Sequence, residues 1–377
     1  MDTQAPDLDA PTIRDLLQRI YGLSVCSEQD ITKLDGYDDR NYRLENVRIL
    51  DGTLIVNGDQ VNNGVVLKVT NPIESNIDGF LEAQVCLMQH VSARGVPCQT
   101  VLQTKTGRFV AREPLNNCDK KSAIRLVTFL CGKTMKSVEL TSELLMELGG
   151  LIASYRAAAK SFEHEVYADY ATCTWALRPT LHSVRQHVRL LPEAEKRTAA
   201  AAAIDAYERA MQPVYRHLPA GVIHSDFNES NVLVSRASES DGRYHISGLL
   251  DFGDVHRGPW LFDVSSAALY MILLQPKNIP TLQIGGHVLA GYFKAGAHLS
   301  LQELRLARVC MLARMVQSLV FGWLAYTCQP ENSYALNTQK VGWRVLQQLL
   351  DTSDQEIVDA WLSVVRSEPY HIAYHDV

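Results

Sequence analysis

His224-Ser225-Asp226-Phe227-Asn228-Glu229-Ser230-Asn231 is followed by the apolar run Val232-Leu233-Val234, a turn at Asp241-Gly242, a second apolar run over 246–250, and then Asp251-Phe252-Gly253. Two short apolar runs around an Asp-Gly turn predict a hairpin. Such a hairpin brings Asp226, Asn231 and Asp251 to one edge. Moving a phosphoryl group from a nucleotide needs few protein groups. It needs a carboxylate beside the acceptor hydroxyl, oxygen ligands for Mg²⁺, and a cation on the phosphates. Asp226 is the candidate catalytic base, and Asn231 and Asp251 are the candidate metal ligands. The bland alternative makes all three turn residues that bond to backbone. That alternative must explain three coincidences of type and spacing at once. His224 reads as a packing and hydrogen-bonding member of the loop rather than a proton carrier.

Working toward the N-terminus, the phosphate-binding cation is expected on an apolar strand. Lys68 fits, inside Val65-Val66-Leu67-Lys68-Val69, because a lysine in a β-branched run is costly to bury without a purpose. Its expected partner is Glu82 on the following helix, the alternative being a solvated glutamate. Gly132-Lys133-Thr134 ends like a phosphate-binding P-loop, but the earlier glycine it requires would stand at position 127, which is Val127. A polar turn, Gly36-Tyr37-Asp38-Asp39-Arg40-Asn41-Tyr42, occupies the place of a glycine-rich loop. Asn41 could touch a phosphate there, or the segment could be a plain turn.

The rest of the chain frames these residues. Residues 41–70 read as strands, punctuated by Asp51-Gly52, Asn57-Gly58 and Asn63-Gly64, and 123–130 as another strand. Helical spacing is expected over 10–21, 77–94, 141–160, 179–190, 194–217, 300–326, 333–350 and 353–367, with Ser300-x-x-Glu303 and Ser353-x-x-Glu356 as capping boxes. A β-rich first part and a helical second part predict an α+β, two-lobed chain. The N-terminal nucleotide-binding lobe spans 1–130 and the C-terminal catalytic and substrate-binding lobe spans 131–377.

The 377 residues carry a net charge of −6 with no basic runs, so no nucleic-acid surface is expected. The acidic, polar start is unlike a signal peptide, and 311–325 reads as too short and too polar for a membrane span. Eight scattered cysteines lack metal-ligand spacing. A cytoplasmic protein is expected. The oligomeric state is left open.

The blocks His-Ser-Asp-x-Asn-x-x-Asn, Leu-Leu-Asp-Phe-Gly-Asp and Phe-Asp-Val resemble the aminoglycoside phosphotransferase and choline kinase superfamily. Within it they resemble the hydroxylysine kinases. The resemblance extends over Tyr37-Asp38-Asp39-x-Asn41, Val66-Leu67-Lys68, Arg125-Leu126-Val127-Thr128, residues 222–254, 285–291 and 317–320. It implies a protein-kinase-like fold and a Mg²⁺-dependent transfer from GTP (or ATP) to the hydroxyl of a small hydroxylated amino acid or amine. It also implies a hinge from Val127 to Cys131, including Thr128 and Phe129, that grips the base through its backbone. The polar stretch 46–64 and the segment 255–260 depart from the pattern.

An amino-acid acceptor needs acids for its ammonium groups and a cation for its carboxylate. Asp254 and Glu229 are candidate acids. Arg314, three residues from Gln317 on an otherwise apolar helix, is a candidate carboxylate clamp. A protein acid is an equal alternative partner for it. Trp175 and Arg257 are weaker substrate candidates. Two competing functions remain: a related kinase for another hydroxylated amine, sugar or amino acid, and an inactive nucleotide-binding scaffold.

Overall fold

The computed structural model describes residues 5–34, 36, 39–50, 61–115, 121–168, 175–238, 242–328, 330, 336 and 338–368. Tyr37, Asp38, Asp51-Gly52, Asn57-Gly58, Asp241 and two of the cysteines, Cys118 and Cys173, lie outside them. The chain gathers into two compact units, Met1–Cys131 and Gly132–Val377.

The first unit is built on an antiparallel sheet. Its strands run Ile31–Leu34, Arg40–Leu44, Val65–Val69, Lys121–Thr128 and Val101–Leu102 in spatial order, with Ala111–Pro114 also paired to Lys121–Thr128. Side chains alternate across a strand, so each face has its own chemistry. Leu67, Val69, Tyr42, Leu44, Ile124 and Leu126 join Ile13, Leu16, Leu17 and Tyr21 of the N-terminal helical segment in one core. Lys68 points to the other face, in register with Asn41 on one side and Arg125 on the other. The expected helix 77–94 is Phe80–Ser92, and the expected strand 123–130 is Lys121–Thr128.

The second unit is helical around two small strand pairs. Val232–Ser235 pairs antiparallel with His245–Leu249, the predicted hairpin, and Lys133–Thr134 adds to it, so the P-loop look-alike is a short strand. Ala220–Ile223 pairs with His256–Pro259. Both predicted capping boxes form, at Ser300/Glu303 and Ser353/Glu356. The helix expected over 300–326 is broken after its first turn into Leu301–Leu304 and Ala307–Cys328.

Among the described residues, two helices longer than a single turn, and the one-turn helix Pro72–Ser75, have no counterpart in the sequence reading. Leu261–Leu273 is buried nearly all round, so it lacks the one-sided apolar stripe that marks a surface helix. Ile284–Lys294 holds Gly285, Gly286 and Gly291, which are poor helix formers.

The run Leu301–Cys328, with mean hydropathy 1.4 in its most apolar window, is long and apolar enough to cross a membrane, contrary to the reading of 311–325. In this unit 67 % of that window is buried, and Ala307–Cys328 packs against helices Leu177–Val188, Ala194–Met211, Leu261–Leu273 and Gln339–Asp351. It is the core helix of the unit.

The tightest helix pair is Ser142–Ala159 against Ile284–Lys294, where glycines let the backbones touch. A Cβ at Gly149 would stand 1.9 Å from the Val288 carbonyl oxygen, and one at Gly291 would stand 1.8 Å from that of Met146. Alanine at 149 would gain about 1 kcal/mol of helix propensity but must push two backbones apart. Gly149→Ala should therefore lower the unfolding free energy by about 2 kcal/mol in urea titrations. Gly150→Ala, whose Cβ meets nothing within 4 Å, should raise it by up to about 1 kcal/mol.

Candidate active site

The loop of the second unit starts from a buried acid. Asp263, on helix Leu261–Leu273, is 1 % exposed and accepts the backbone N–H groups of His224 at 3.2 Å and Ser225 at 2.7 Å. Ser225 takes a left-handed backbone conformation with φ 70°, and Asp251 does the same with φ 57°. Such conformations cost of order 1 kcal/mol or more in non-glycine residues and persist where the surroundings fix them. The buried His224 joins the two loops. Its Nε2 donates to the Leu250 carbonyl at 3.1 Å, and its Nδ1 accepts from the Asp226 N–H at 3.3 Å. Tyr155, Phe227 and Phe252 pack around its ring.

Asp226 emerges from this frame with both carboxylate oxygens engaged. Oδ2 accepts from Asn231 Nδ2 at 2.6 Å and from Asn228 Nδ2 at 2.8 Å. Oδ1 accepts from Arg314 at 3.1 Å. The pair is sheltered, with the side chains 15 % and 4 % exposed for Asp226 and Arg314. Burial raises the Asp226 carboxyl above the ordinary carboxylate range; Arg314 pulls it down, and the neighbouring Asp251 pushes it up.

Arg314 also reaches Asp254 Oδ2 at 3.5 Å, the Tyr270 hydroxyl at 3.0 Å, Gln317 Oε1 at 3.2 Å and the Trp175 carbonyl at 3.5 Å. Its guanidinium carbon lies 4.9 Å from the Trp175 ring centroid. Gln317 in turn donates to Thr180 at 2.8 Å.

Arg314, Gln317, Asp254 and Trp175 are thus brought together around Asp226. The arginine is paired with protein acids, not left available as the expected clamp for a substrate carboxylate. Arg257 sits on strand His256–Pro259 opposite Val222, and the guanidinium that reaches Asp226 is that of Arg314. Glu229 lies near enough for Asp226 to raise its carboxyl, mainly raised by burial, and its Oε2 is buried without a hydrogen-bond partner. Asp263 and Asn228 stood in the sequence reading only as members of the Phe-Asp-Val and His-Ser-Asp-x-Asn-x-x-Asn blocks, with no role given to them, and Tyr270 was not singled out. An acid and a tyrosine in one apolar helix carry no periodic signal of their own.

The donor set suits a hard cation. Asn231 turns its amide nitrogen to Asp226, which directs its amide oxygen away, and Asp251 offers a carboxylate at the paired strand end. Amide and carboxylate oxygens are Mg²⁺ ligands.

In the first unit the expected Lys68–Glu82 pair is replaced. Both oxygens of Glu82 take the guanidinium of Arg112, at 2.6 and 3.1 Å. Gln84, 1 % exposed, is the inward polar residue of helix Phe80–Ser92, and it accepts from Arg125 at 2.8 Å. Residues two apart on a helix lie about 200° round its axis, so Glu82 and Gln84 cannot both face the sheet. Asn41 has a buried Oδ1 without a hydrogen-bond partner, beside Lys68 in register.

The hinge reading is also corrected in part. The Thr128 N–H is spent on the Thr100 carbonyl at 2.9 Å and the Phe129 N–H on Gly64 at 3.2 Å, because an inner strand has partners on both sides. Val127 pairs with Val66 and Val101, and the Phe129 ring stacks under Arg43 at 4.0 Å.

Two buried histidines give the site a pH signature. Burial lowers both His224 and His256 to about 4. An unfolded histidine titrates near 6.5, so their stabilisation is complete above that value and is lost as pH falls toward 4. Asp263, pushed up to about 7 by burial, works with the opposite sign between pH 4 and 7. The variant difference isolates one group. His256→Gln should remove about 2 kcal/mol of the stability lost between pH 7 and pH 5, read from urea titrations at both values.

A family model described as the phosphotransferase enzyme family matches residues 32–299. Hydroxylysine kinase of Mus musculus is 28 % identical over 361 residues, covering 93 % of this chain and 92 % of its own. Hydroxylysine kinase of Xenopus laevis is 28 % identical over 100 % and 98 % of the two chains. Among solved structures, amicoumacin kinase superposes with TM-score 0.64 at 14 % identity over 91 % of this chain and 94 % of the other. A microcompartment-associated aminopropanol kinase gives 0.63 at 18 % over 90 % and 98 %. The α+β, two-lobed protein-kinase-like fold expected from the sequence is the observed one, and the chain, a small-molecule kinase acting on a hydroxyl group, belongs to the phosphotransferase enzyme family.

Proposed function

We propose that this chain transfers the γ-phosphoryl group of GTP or ATP to the side-chain hydroxyl of 5-hydroxy-L-lysine, with Asp226 as base. Support for the acceptor comes from relatives named hydroxylysine kinase, 26–28 % identical over 93–100 % of the chain. The observation that carries the chemistry is the Asp226 carboxylate, held by Asn228, Asn231 and Arg314 beside Asp251.

Asp226 takes the proton of the acceptor hydroxyl. The freed oxygen forms its bond to the γ-phosphorus while the bond from that phosphorus to the bridging oxygen breaks, and the nucleoside diphosphate leaves. Asn231 and Asp251 would hold Mg²⁺, which neutralises charge on the phosphates. Lys68 would bind phosphate. Glu229, with a buried oxygen lacking a partner, would receive an ammonium group of the acceptor. Six cysteines are free among the described residues, which suits the cytoplasm we assign.

A second acceptor class has its own support. Homoserine kinases from three bacteria are 28–30 % identical over 44–50 % of this chain. A panel of hydroxylated amino acids and amino sugars, each with GTP and with ATP, separates the readings by diphosphate release. Release with 5-hydroxylysine supports the proposal. Release with another acceptor alone transfers the function to that class, and nucleotide binding without release leaves a scaffold.

Asp226→Asn should lower kcat by about 10²–10⁴-fold with nucleotide affinity kept, since it removes the proton acceptor and preserves shape. Asp251→Ala should abolish Mg²⁺-dependent turnover; unchanged Mg²⁺ titration curves would remove Asp251 from the metal site. Glu229→Gln should raise KM for ammonium-bearing acceptors by about 10-fold, one charge-assisted bond, while KM for the nucleotide stays within error.

A further inference from the structure

Arg314 has an unusually complete set of partners. A guanidinium has five N–H donors and no acceptor. Nε faces the Tyr270 hydroxyl, one terminal nitrogen faces Gln317 Oε1 and the Trp175 carbonyl, and the other faces Asp226 Oδ1 and Asp254 Oδ2. Four hydrogen bonds to protein oxygens and the ion pair with Asp254 at 3.5 Å engage all three guanidinium nitrogens. No donor is left for a substrate carboxylate, so the arginine acts on the reaction through the acids it holds.

The Asp226 side completes the picture. Each carboxylate oxygen has two lone pairs in its plane. Those of Oδ2 are filled by the Asn228 and Asn231 amides. Oδ1 receives a single bond, from Arg314. One lone pair of the carboxylate is therefore uncommitted, and it belongs to Oδ1. Without Arg314 the carboxylate would lose the donor that pins this oxygen, while the other two contacts would act only as a hinge about Oδ2.

We propose that Arg314 is a positioning residue, whose saturated guanidinium fixes the Asp226 carboxylate so that a single lone pair, on Oδ1, accepts the proton of the substrate hydroxyl. The proposal rests on the reading of Asp226 as base. It assigns the proton-accepting atom, makes the buried helix Ala307–Cys328 part of the catalytic apparatus, and moves the search for a substrate-carboxylate ligand away from Arg314.

The test is a double-mutant cycle on diphosphate release, with saturating nucleotide and varied acceptor. Arg314→Met in the native background should lower kcat about 10²-fold and change KM for the acceptor by less than about 3-fold. In the Asp226→Asn background the same substitution should cost less than about 3-fold, because the group it positions is already disabled. That double variant removes the Asp226 charge together with that of Arg314, so this carboxylate is not left buried without its guanidinium, and only the Asp254 contact is lost. Should Arg314→Met alone fail to fold, Arg314→Lys replaces it in both backgrounds, with the same non-additivity expected. Equal losses in the two backgrounds would show a role independent of Asp226 and overturn the proposal. So would a large rise in KM for amino-acid acceptors with kcat unchanged. A wrong acceptor would show separately, as an inactive parent enzyme with 5-hydroxylysine; the cycle is then read with the acceptor, or water, that supports diphosphate release.

Discussion

A carboxylate taken out of water must be matched donor for donor, and the loop from His224 to Asn231 is organised around that constraint. Burying an unmatched ionised acid costs several kcal/mol, so the chain supplies partners or lets the acid keep its proton. Asp263 shows both responses. Two backbone N–H groups are aimed at it, and its carboxyl is still pushed up to about 7. Those two N–H groups converge on one carboxylate across Ser225, whose backbone is left-handed. The residue after it is Asp226, so the acid beneath the loop determines where the Asp226 carboxylate emerges. His224 then carries the constraint across to Leu250, just before the second left-handed residue, Asp251. The strain at two positions is thus paid for by one buried acid and one neutral histidine.

Donor matching also explains the first unit. Arg125 lies inside the sheet at 5 % exposure, so an acceptor must be placed against it, and Gln84 and Thr70 serve. Gln84 fixes the rotation of helix Phe80–Ser92. With Gln84 turned in, Glu82 must turn out, where Arg112 meets it. The glutamate expected beside Lys68 was a reasonable reading of residue type and distance along the chain. What the sequence could not reveal is which of two polar residues, two positions apart, faces the strand. That is decided by an arginine more than 40 residues further on.

The parts that were legible share a property: their chemistry is local. The loop from His224 to Asn231 and the hairpin that follows it are read from eight residues and two apolar runs. The capping boxes are four residues long and both form. The parts that were missed depend on distant partners or on uniform burial. Leu261–Leu273 is covered on all sides, so its sequence has no stripe to read. Ile284–Lys294 is a helix in spite of its glycines, since Gly291 lets it touch Ser142–Ala159. Tyr270 is a hydrogen-bond partner of Arg314 because two helices cross, which no spacing within either one announces.

Arg314 was visible in the sequence as an arginine in an apolar helix, and an arginine there needs an anion. The structure supplies two, Asp226 and Asp254, and so consumes the cation. Glu229 remains with an oxygen buried and unmatched, and Asp251 adds its own charge nearby. Counting Asp226, Asp254, Glu229 and Asp251 against Arg314 and Lys136, whose charge pulls the Glu229 carboxyl down, still leaves this part of the second unit acidic with the ion pair formed. Mg²⁺ on Asn231 and Asp251 would offset charge on the nucleotide side, where the phosphates bring more of it. An acceptor carrying an ammonium group near its hydroxyl supplies the missing positive charge and the missing hydrogen-bond donors at once, whereas a neutral sugar supplies only donors. The same accounting runs against a lone substrate carboxylate near Asp226. On the proposed reading, an amino-acid acceptor would lie with its ammonium end toward Glu229 and its carboxylate turned away from the cluster of acids.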